Sequence, residues 1–488
     1  MTPGRRSREH IGGGARPSRR VAVLGGGLAG LSAALRCADD GHEVTLLESR
    51  ARLGGLAGSF RRRDAHVDTG QHVFLRCCHA YRGLLARLDV TGSTTLQERL
   101  DVTVLRPGAA PARLRRDRPP AVLGLLPGAH LARALLRYDP VPWRERLALP
   151  RAAAALRRLD PADPAVDAQS FGDWLRRYGQ GPAAVAALWD LVGTPTLNAR
   201  ADEASLALAA TVFRLGLLGD PDASDIGWAR VPLSDLHDTA ARRALDDAGV
   251  RVRLATRVRH VTRADDGWRI TVAGRDGARD ALAVDAVVCA LPPEAAAAVL
   301  PDPVGTQVGD AAEALGASPI VDVHLVLDRP VLPVPFAAGL DTEVQWVFDR
   351  SAAHGALPAG AQYLVVSLSA ADAYTGLGAA VLVERFRTEL TRLLPAAAEA
   401  RLIDGFVTRE PRATFRPAPG SGARRPAART ALPALALAGA WTDTGWPATM
   451  EGAVRSGRTA AAVVTRGHDD PRPRYDGPER DGRGRVAA

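Results

Sequence analysis

The segment Val21-Ala-Val-Leu-Gly-Gly-Gly-Leu-Ala-Gly30 constrains this chain more than any other. Val21 to Leu24 is a short apolar run suited to a buried parallel strand. Gly25-x-Gly27-x-x-Gly30 turns that strand into a helix expected from about Leu28 to Asp40, with Gly41 as its left-handed stop. Gly25 permits the tight turn, Gly27 lets the backbone approach a pyrophosphate, and Gly30 lets helix and strand pack closely. The free N–H groups of Leu28, Ala29 and Gly30 at the helix start then face the phosphates. His42-Glu-Val-Thr-Leu-Leu-Glu48 reads as the second strand, with Glu48 at its carboxyl end, where a carboxylate accepts both ribose hydroxyls. Strand, helix, strand and acid in this order point to a dinucleotide site in an α/β layer. The alternative is a glycine-rich turn kept for structural reasons alone.

At 488 residues the chain exceeds one ordinary core and suggests two or three domains. All 63 basic residues are arginine, so no lysine serves as acid, base or Schiff-base partner. The net charge of +9 is concentrated in two tails: Arg5, Arg6, Arg8, Arg16, Arg19 and Arg20 before the first strand, and five arginines from Arg472 onward. Both tails, residues 1–20 and 467–488, read as disordered. No nucleic-acid motif accompanies the charge, and a nucleic-acid partner is not expected.

The four cysteines, Cys37, Cys77, Cys78 and Cys289, make neither a C-x-x-C pair nor a disulfide framework. Cys77-Cys78-His79 reads as a packed helix start rather than a metal site, and no metal is expected. The first 20 residues lack the apolar core of a signal peptide, and no apolar run is long enough to span a bilayer, which reads as a cytoplasmic protein. Between Pro119 and Leu159, however, lie Val122-Leu-Gly-Leu-Leu126, His130-Leu-Ala-Arg-Ala-Leu-Leu-Arg137 and Leu147 to Arg158, leucine-rich stretches with arginines on the helical pattern. Two readings stand side by side: an interfacial pair of helices on an anionic inner membrane face, or a solvent-facing amphipathic pair.

Farther along, Val250-Arg-Val-Arg-Leu254 and Trp268-Arg-Ile-Thr-Val272 alternate with period two, as in a small antiparallel layer in which the backbone of Val258 meets the adenine end. Asp285 to Pro293 is a buried strand ending in a proline turn. Leu435-Ala-Leu-Ala-Gly439 is another strand. Thr449 to Gly457 reads as a helix whose N-terminus places Met450 and Glu451 at the redox ring of the bound dinucleotide, where aligned N–H groups stabilise negative charge, or as a plain helix with an acidic first turn.

The run from Glu48 through Arg50 and Arg52 to Gly54-Gly55 resembles the extension seen in the amine oxidase and phytoene desaturase superfamily of flavoproteins. The resemblance implies FAD as cofactor, with Arg50, Arg52, Gly54 and Gly55 along it. It also implies a Rossmann-like FAD-binding domain assembled from residues 21–100, 246–300 and 426–466, joined to an α+β substrate domain from residues 101–245 and 301–425. The lysine that many amine oxidases place beside the flavin is missing here.

More specific phrases are Asp68-Thr-Gly-Gln-His72, Asp225-Ile-Gly-Trp228, Val323-His324, Gln345-Trp346, Phe348-Asp349-Arg350, Arg409-Glu410 and Ala438 to Gly452. They resemble the bacterial squalene-associated flavin enzymes, the hydroxysqualene dehydroxylases. That resemblance implies reductive removal of a hydroxyl from an apolar polyisoprenoid, with Gly439 and Trp441 at the cofactor. Gly439-Ala440-Trp441 departs from the Gly-Asp-Trp of relatives, so an aspartate contact is lost or passes to Asp443.

Loss of an allylic hydroxyl needs a dry pocket, a positioned acid and electron-rich faces near the developing cation. Trp228, Trp346 and Trp446 are the candidate faces, and Gln71 a candidate substrate contact. In Ile320-Val-Asp-Val-His-Leu-Val-Leu327, Asp322 and His324 share one strand face, which reads either as a buried pair that holds a proton near neutrality or as a solvated polar face. Asp225 and His72 are rival candidates for the acid. A carotenoid or phytoene desaturase and a non-enzymatic prenyl carrier of the same fold are the alternative functions. No second glycine fingerprint for NADPH is present, so free nicotinamide or a redox partner protein is expected to reduce the flavin.

Overall fold

The structure is a computed structural model that describes residues 18–117, 129–275 and 277–466. A five-stranded parallel sheet is at its centre, in the order Arg251–Arg253, Glu43–Leu47, Arg20–Leu24, Ala286–Cys289, Leu435–Leu437. Its central strands are fully buried on both faces, which is why they read as continuous apolar runs rather than as alternating ones. Strands distant in sequence thus make one Rossmann-like layer. Residues 18–20, assigned to a tail above, belong to the fold: the Arg20 N–H donates to Asp285 at 2.7 Å, and Arg19 reaches the carbonyl of Val464 at 2.8 Å. The rest of both tails, and Val122 to Leu126, lie outside the described residues.

On the sheet lies the helix Leu28–Asp39, uncapped by any side chain at Gly27 and followed by Gly41 at φ +85°. Against it packs the last helix, Met450–Arg466, longer than expected. The two helices meet backbone to backbone. A Cβ at Gly457 would overlap the carbonyl oxygen of Ala29, so only glycine permits this distance.

The three-stranded antiparallel layer Arg257–Ala264, Gly267–Ala273, Arg279–Val284 contains Val258 opposite Val272, but Val250–Leu254, expected in that layer, supplies instead the edge strand Arg251–Arg253 of the parallel sheet, paired with Glu43–Leu47. The segment from Ala229 to Leu245 packs in the core of the parallel layer through Leu233, Leu236, Ala240, Ala241 and Leu245. The dinucleotide-binding unit therefore begins before residue 246. The reason is amphipathic: the helix Ala240–Asp247 buries an alanine and leucine face and turns its charges outward.

The second unit is a seven-stranded sheet in the order Leu402–Thr414, Ser318–Leu327, Gln362–Ser369, Trp346–Asp349, Phe336–Gly339, Asp101–Leu105, Ala112–Arg115. It is antiparallel except where Phe336–Gly339 runs parallel to Asp101–Leu105. The helix Ala379–Leu393 covers one face through Leu382, Phe386 and Leu390. Helices between residues 129 and 216 pack around Phe171, Trp174, Trp189 and Phe213.

Gly457→Val is expected to destabilise the protein by about 1–3 kcal/mol through overpacking at the helix pair. Thermal unfolding would show this as a lowered Tm; an unchanged Tm would mean the helices separate freely there.

Candidate active site

The carboxyl ends of the parallel strands gather Gly25–Gly27, Glu48, Ala290–Leu291 and Gly439–Trp441 along one edge, the crevice where open α/β sheets bind ligands. The three fingerprint glycines serve different needs. A Cβ at Gly25 would stand 2.7 Å from the Ala290 oxygen, and one at Gly30 would overlap the Gly25 carbonyl, so protein occupies both places. A Cβ at Gly27 would meet only Gly55 Cα, at 3.9 Å. The space in front of the helix N-terminus is open, and a pyrophosphate fits it.

Gly54 and Gly55 close the cradle: Gly54 N–H donates to Gly26 at 2.9 Å, and a Cβ on Gly55 would come within 3.0 Å of Gly27 Cα. Glu48 is buried at the strand end and accepts from the N–H groups of Gly26 and Arg50, both at 2.7 Å. Arg52 turns back onto the Gly55 carbonyl at 3.0 Å; burial first, then Arg50, holds its pKa below the usual arginine value. Glu410, unassigned above beyond its place in a phrase, belongs to this group. Burial raises its pKa, while Arg50 and Arg52 oppose the rise.

Trp441 sits at the sheet edge, its indole N–H donating to the Leu291 carbonyl at 3.2 Å, below Gly439 at φ +139°. Asp443 is exposed and accepts from Gly445 N–H in its own turn. The adjoining loop is held instead by Arg425, whose guanidinium donates to the carbonyls of Trp446 at 2.8 Å and Ala440 at 3.1 Å. Burial pushes Arg425 down to about 10.

Met450 begins the last helix, and the Glu451 carboxylate is engaged within the protein. The carboxylate accepts from the N–H groups of Ala80 at 3.1 Å and Tyr81 at 2.7 Å, and pairs with Arg455 at 2.6 Å. Glu451 therefore caps the helix His79–Arg87, whose own N-cap, Cys78, supplies no side-chain bond. An acid in a first turn was legible; which helix it serves was not.

The substrate-side residues converge on a second place. Gln71, His72 and Trp228 line one small cleft with Val73, Pro335, Phe336, Phe348, Asp349 and Arg350. Trp228 meets Phe336 edge-on at 5.4 Å, and Trp346 adjoins Phe336 and Phe348 at 6.0 and 6.1 Å. Trp446 is elsewhere, buried with Cys77 and Ala223 under Arg455, whose charge lies 4.9 Å from its ring. It is a packing residue in this arrangement.

The Gly70-Gln71-His72 turn is anchored by Asp68, which accepts from Ser59 at 2.6 Å and from Leu233 N–H at 3.0 Å, and pairs with buried Arg350 at 2.6 Å. Arg350 had no role assigned from sequence. Gly70 lies beside both His72 and Asp322: a Cβ there would stand 3.4 Å from the His72 ring and 3.8 Å from Asp322 Oδ2. His72 Nδ1 lies 3.1 Å from the Gly70 carbonyl oxygen, and burial lowers its pKa.

Asp322 is buried, and its Oδ1 has no hydrogen-bond partner among the described residues. Burial first, with the neighbouring carboxylates Glu410 and Asp68, pushes it up to about 7, against hydrogen bonds from Ser367 and Thr408. His324 shares its strand face but is not its direct partner. The imidazole lies between the Tyr363 hydroxyl at 2.7 Å and the Thr408 hydroxyl at 2.9 Å, stacked on Phe406. Burial drops His324 to about 3, so it stays neutral. Half-buried Thr408, paired with Asp322 across the sheet, links it to buried His324 and Tyr363.

Asp225 is held in a cluster of ion pairs and hydrogen bonds. Fully buried, it accepts from Arg116 Nε at 3.0 Å, Arg76 Nε at 3.0 Å and Leu100 N–H at 2.7 Å, and its charge is compensated by two guanidinium groups. Cys77 and Cys78 lead into the helix His79–Arg87.

A parallel-sheet edge with this glycine cradle, closed by the last helix, defines a flavoprotein of the FAD-dependent oxidoreductase class. The sequence pattern of the flavin containing amine oxidoreductases matches residues 28–465, and the chain belongs to that family, with FAD as its cofactor. It is 29% identical to the hydroxysqualene dehydroxylase of Rhodopseudomonas palustris, over 92% of this chain and 98% of that protein. It is 26% identical to the zeta-carotene desaturase of Zea mays, over 93% of this chain and 84% of that protein. Its fold matches a putrescine oxidase variant with a TM-score of 0.66 at 21% identity, covering 92% of this chain and 99% of the other.

Two outcomes test the site. Gly27→Ala is expected to keep the fold, since its φ of −74° suits any residue, and to weaken FAD binding roughly tenfold or more by filling the cradle. Visible absorbance after desalting, set beside circular dichroism, measures this, and full flavin content would contradict it. Asp225→Ala is expected to cost about 3–5 kcal/mol by leaving buried Arg116 unpaired; denaturant unfolding reads the loss, and an unchanged midpoint would mean the ion pairs do not hold the fold there.

Proposed function

We propose that the protein removes the allylic hydroxyl of hydroxysqualene reductively, giving squalene and water. The carrying observation is Asp322, a buried carboxyl that keeps its proton near neutrality with one oxygen unengaged, beside the Gly70-Gln71-His72 turn and close to an aromatic cleft. Hydroxide is a poor leaving group, and protonation by Asp322 turns it into water. The positive charge left on the allyl system faces Trp228, Phe336, Trp346 and Phe348, whose ring faces stabilise a cation and exclude water. Bound, reduced FAD supplies the hydride. Thr408, neutral His324 and Tyr363 stand behind Asp322 and orient its proton.

A desaturase reading has the zeta-carotene desaturase similarity in its favour. That chemistry removes hydride from a hydrocarbon and has no hydroxyl to protonate, so it leaves the raised Asp322 without a task.

With flavin pre-reduced, hydroxysqualene is expected to give squalene, while phytoene given to the oxidised enzyme should return unchanged. Desaturated product in the second arm and no squalene in the first would overturn the assignment. Turnover should be fullest below pH about 7 and decline above it, because the raised carboxyl acts as an acid only while protonated. Asp322→Asn should abolish that limb and lower kcat by about 10²–10⁴-fold with flavin still bound.

A further inference from the structure

Leu136, Trp143 and Leu147 are 70%, 61% and 69% exposed, the three most exposed large apolar side chains among the described residues. They occupy one place. Trp143 and Leu147 are one turn apart on the helix Trp143–Arg158 and share a face. Leu136 lies in the last turn of the helix Ala129–Arg137, and its carbonyl accepts from Arg146 at 2.6 Å, which ties the two helix ends together. The opposite faces of both helices are in the core, through Leu131, Ala134, Leu149 and Leu156. The outward face is therefore not needed for folding.

Charge is sorted the same way. Asp139 is engaged by Arg106 at 2.5 Å, and Glu145 accepts from Ala184 N–H at 2.7 Å. Arg133, Arg137 and Arg144 are exposed and form no ion pair among the described residues; Arg144 lies over the Trp143 ring at 5.4 Å. The result is an apolar tip with a cationic rim, its one exposed acid, Asp139, already paired with Arg106. A second copy of the chain fits poorly, since a symmetric contact would bring the two arginine rims together.

We propose that this tip is a membrane anchor: Leu136, Trp143 and Leu147 enter the interfacial layer of an anionic bilayer while Arg133, Arg137 and Arg144 meet lipid phosphates. An indole at headgroup depth, leucines below it and guanidinium groups around them are the chemistry of an interfacial attachment. Among the described residues no helix is long and apolar enough to cross a membrane, and attachment by one surface needs none. The choice of a lipid surface as occupant rests on the reading of a water-insoluble isoprenoid substrate, which is drawn from such a surface.

The test is co-flotation of the flavin-loaded full chain with vesicles, which reads no turnover and so fails or succeeds apart from the substrate assignment. Phosphatidylglycerol–phosphatidylethanolamine vesicles should carry the protein, and pure phosphatidylcholine vesicles should carry much less. A Trp143→Ser, Leu147→Ser variant should float about tenfold less or worse with its flavin spectrum intact. Arg137→Glu with Arg144→Glu should remove the preference for the anionic vesicles, as should high salt. Flotation unchanged in both variants overturns the proposal. So does a wild-type protein that ignores both vesicles, or a dimer in solution that Trp143→Ser, Leu147→Ser converts to a monomer.

Discussion

Backbone touching backbone at Gly25, Gly30 and Gly457 is the constraint on which the cofactor half depends. Where the Gly25 carbonyl and Gly30 leave no room for a Cβ, the helix Leu28–Asp39 is drawn tight onto the strand Arg20–Leu24 and its N-terminus is aimed along the sheet edge. Gly457 extends the same logic one layer outward, bringing the last helix onto Ala29. With both helices seated, Glu48, Gly54-Gly55 and Trp441 collect around one opening, although they come from opposite ends of the chain.

The second half works by exclusion of water rather than by close backbone approach. A seven-stranded sheet, packed on its outer face by leucines and Phe386, holds Asp322 where nothing solvates its charged form. The same burial leaves His324 neutral between two hydroxyls. Buried ion pairs of similar appearance have the opposite consequence: Asp225 and Asp68 meet guanidinium groups and serve as anchors. The difference between an acid and an anchor is therefore the neighbour, not the residue.

Much of the cofactor site was legible because its signals are local. Gly25 to Gly30, the stop at Gly41 and Glu48 at the end of the second strand are features of contiguous backbone, and period-two or continuous apolar patterning located the strands that carry them. Asp322 and His324 were legible as neighbours on one face for the same reason. Glu451 was legible as a first-turn acid, yet its carboxylate serves a helix that begins at His79. Trp446 could not be told from Trp228 and Trp346, because an aromatic residue in a core and one in a cleft look alike in one dimension.

The sequence by itself determined a dinucleotide-binding α/β layer and the phosphate end of its site, since turn geometry and the absence of a Cβ are properties of the residues themselves. Tertiary structure alone decided which buried carboxyl meets a guanidinium group and which does not. Strand pairing set Thr408 and Ser367 beside Asp322, the fold brought the Gly70 turn next to it, and Arg76 and Arg116 reached Asp225 instead. A carboxyl's proton affinity is set by desolvation and by charges that reach it from distant parts of the chain, so it belongs to the fold and not to the residue.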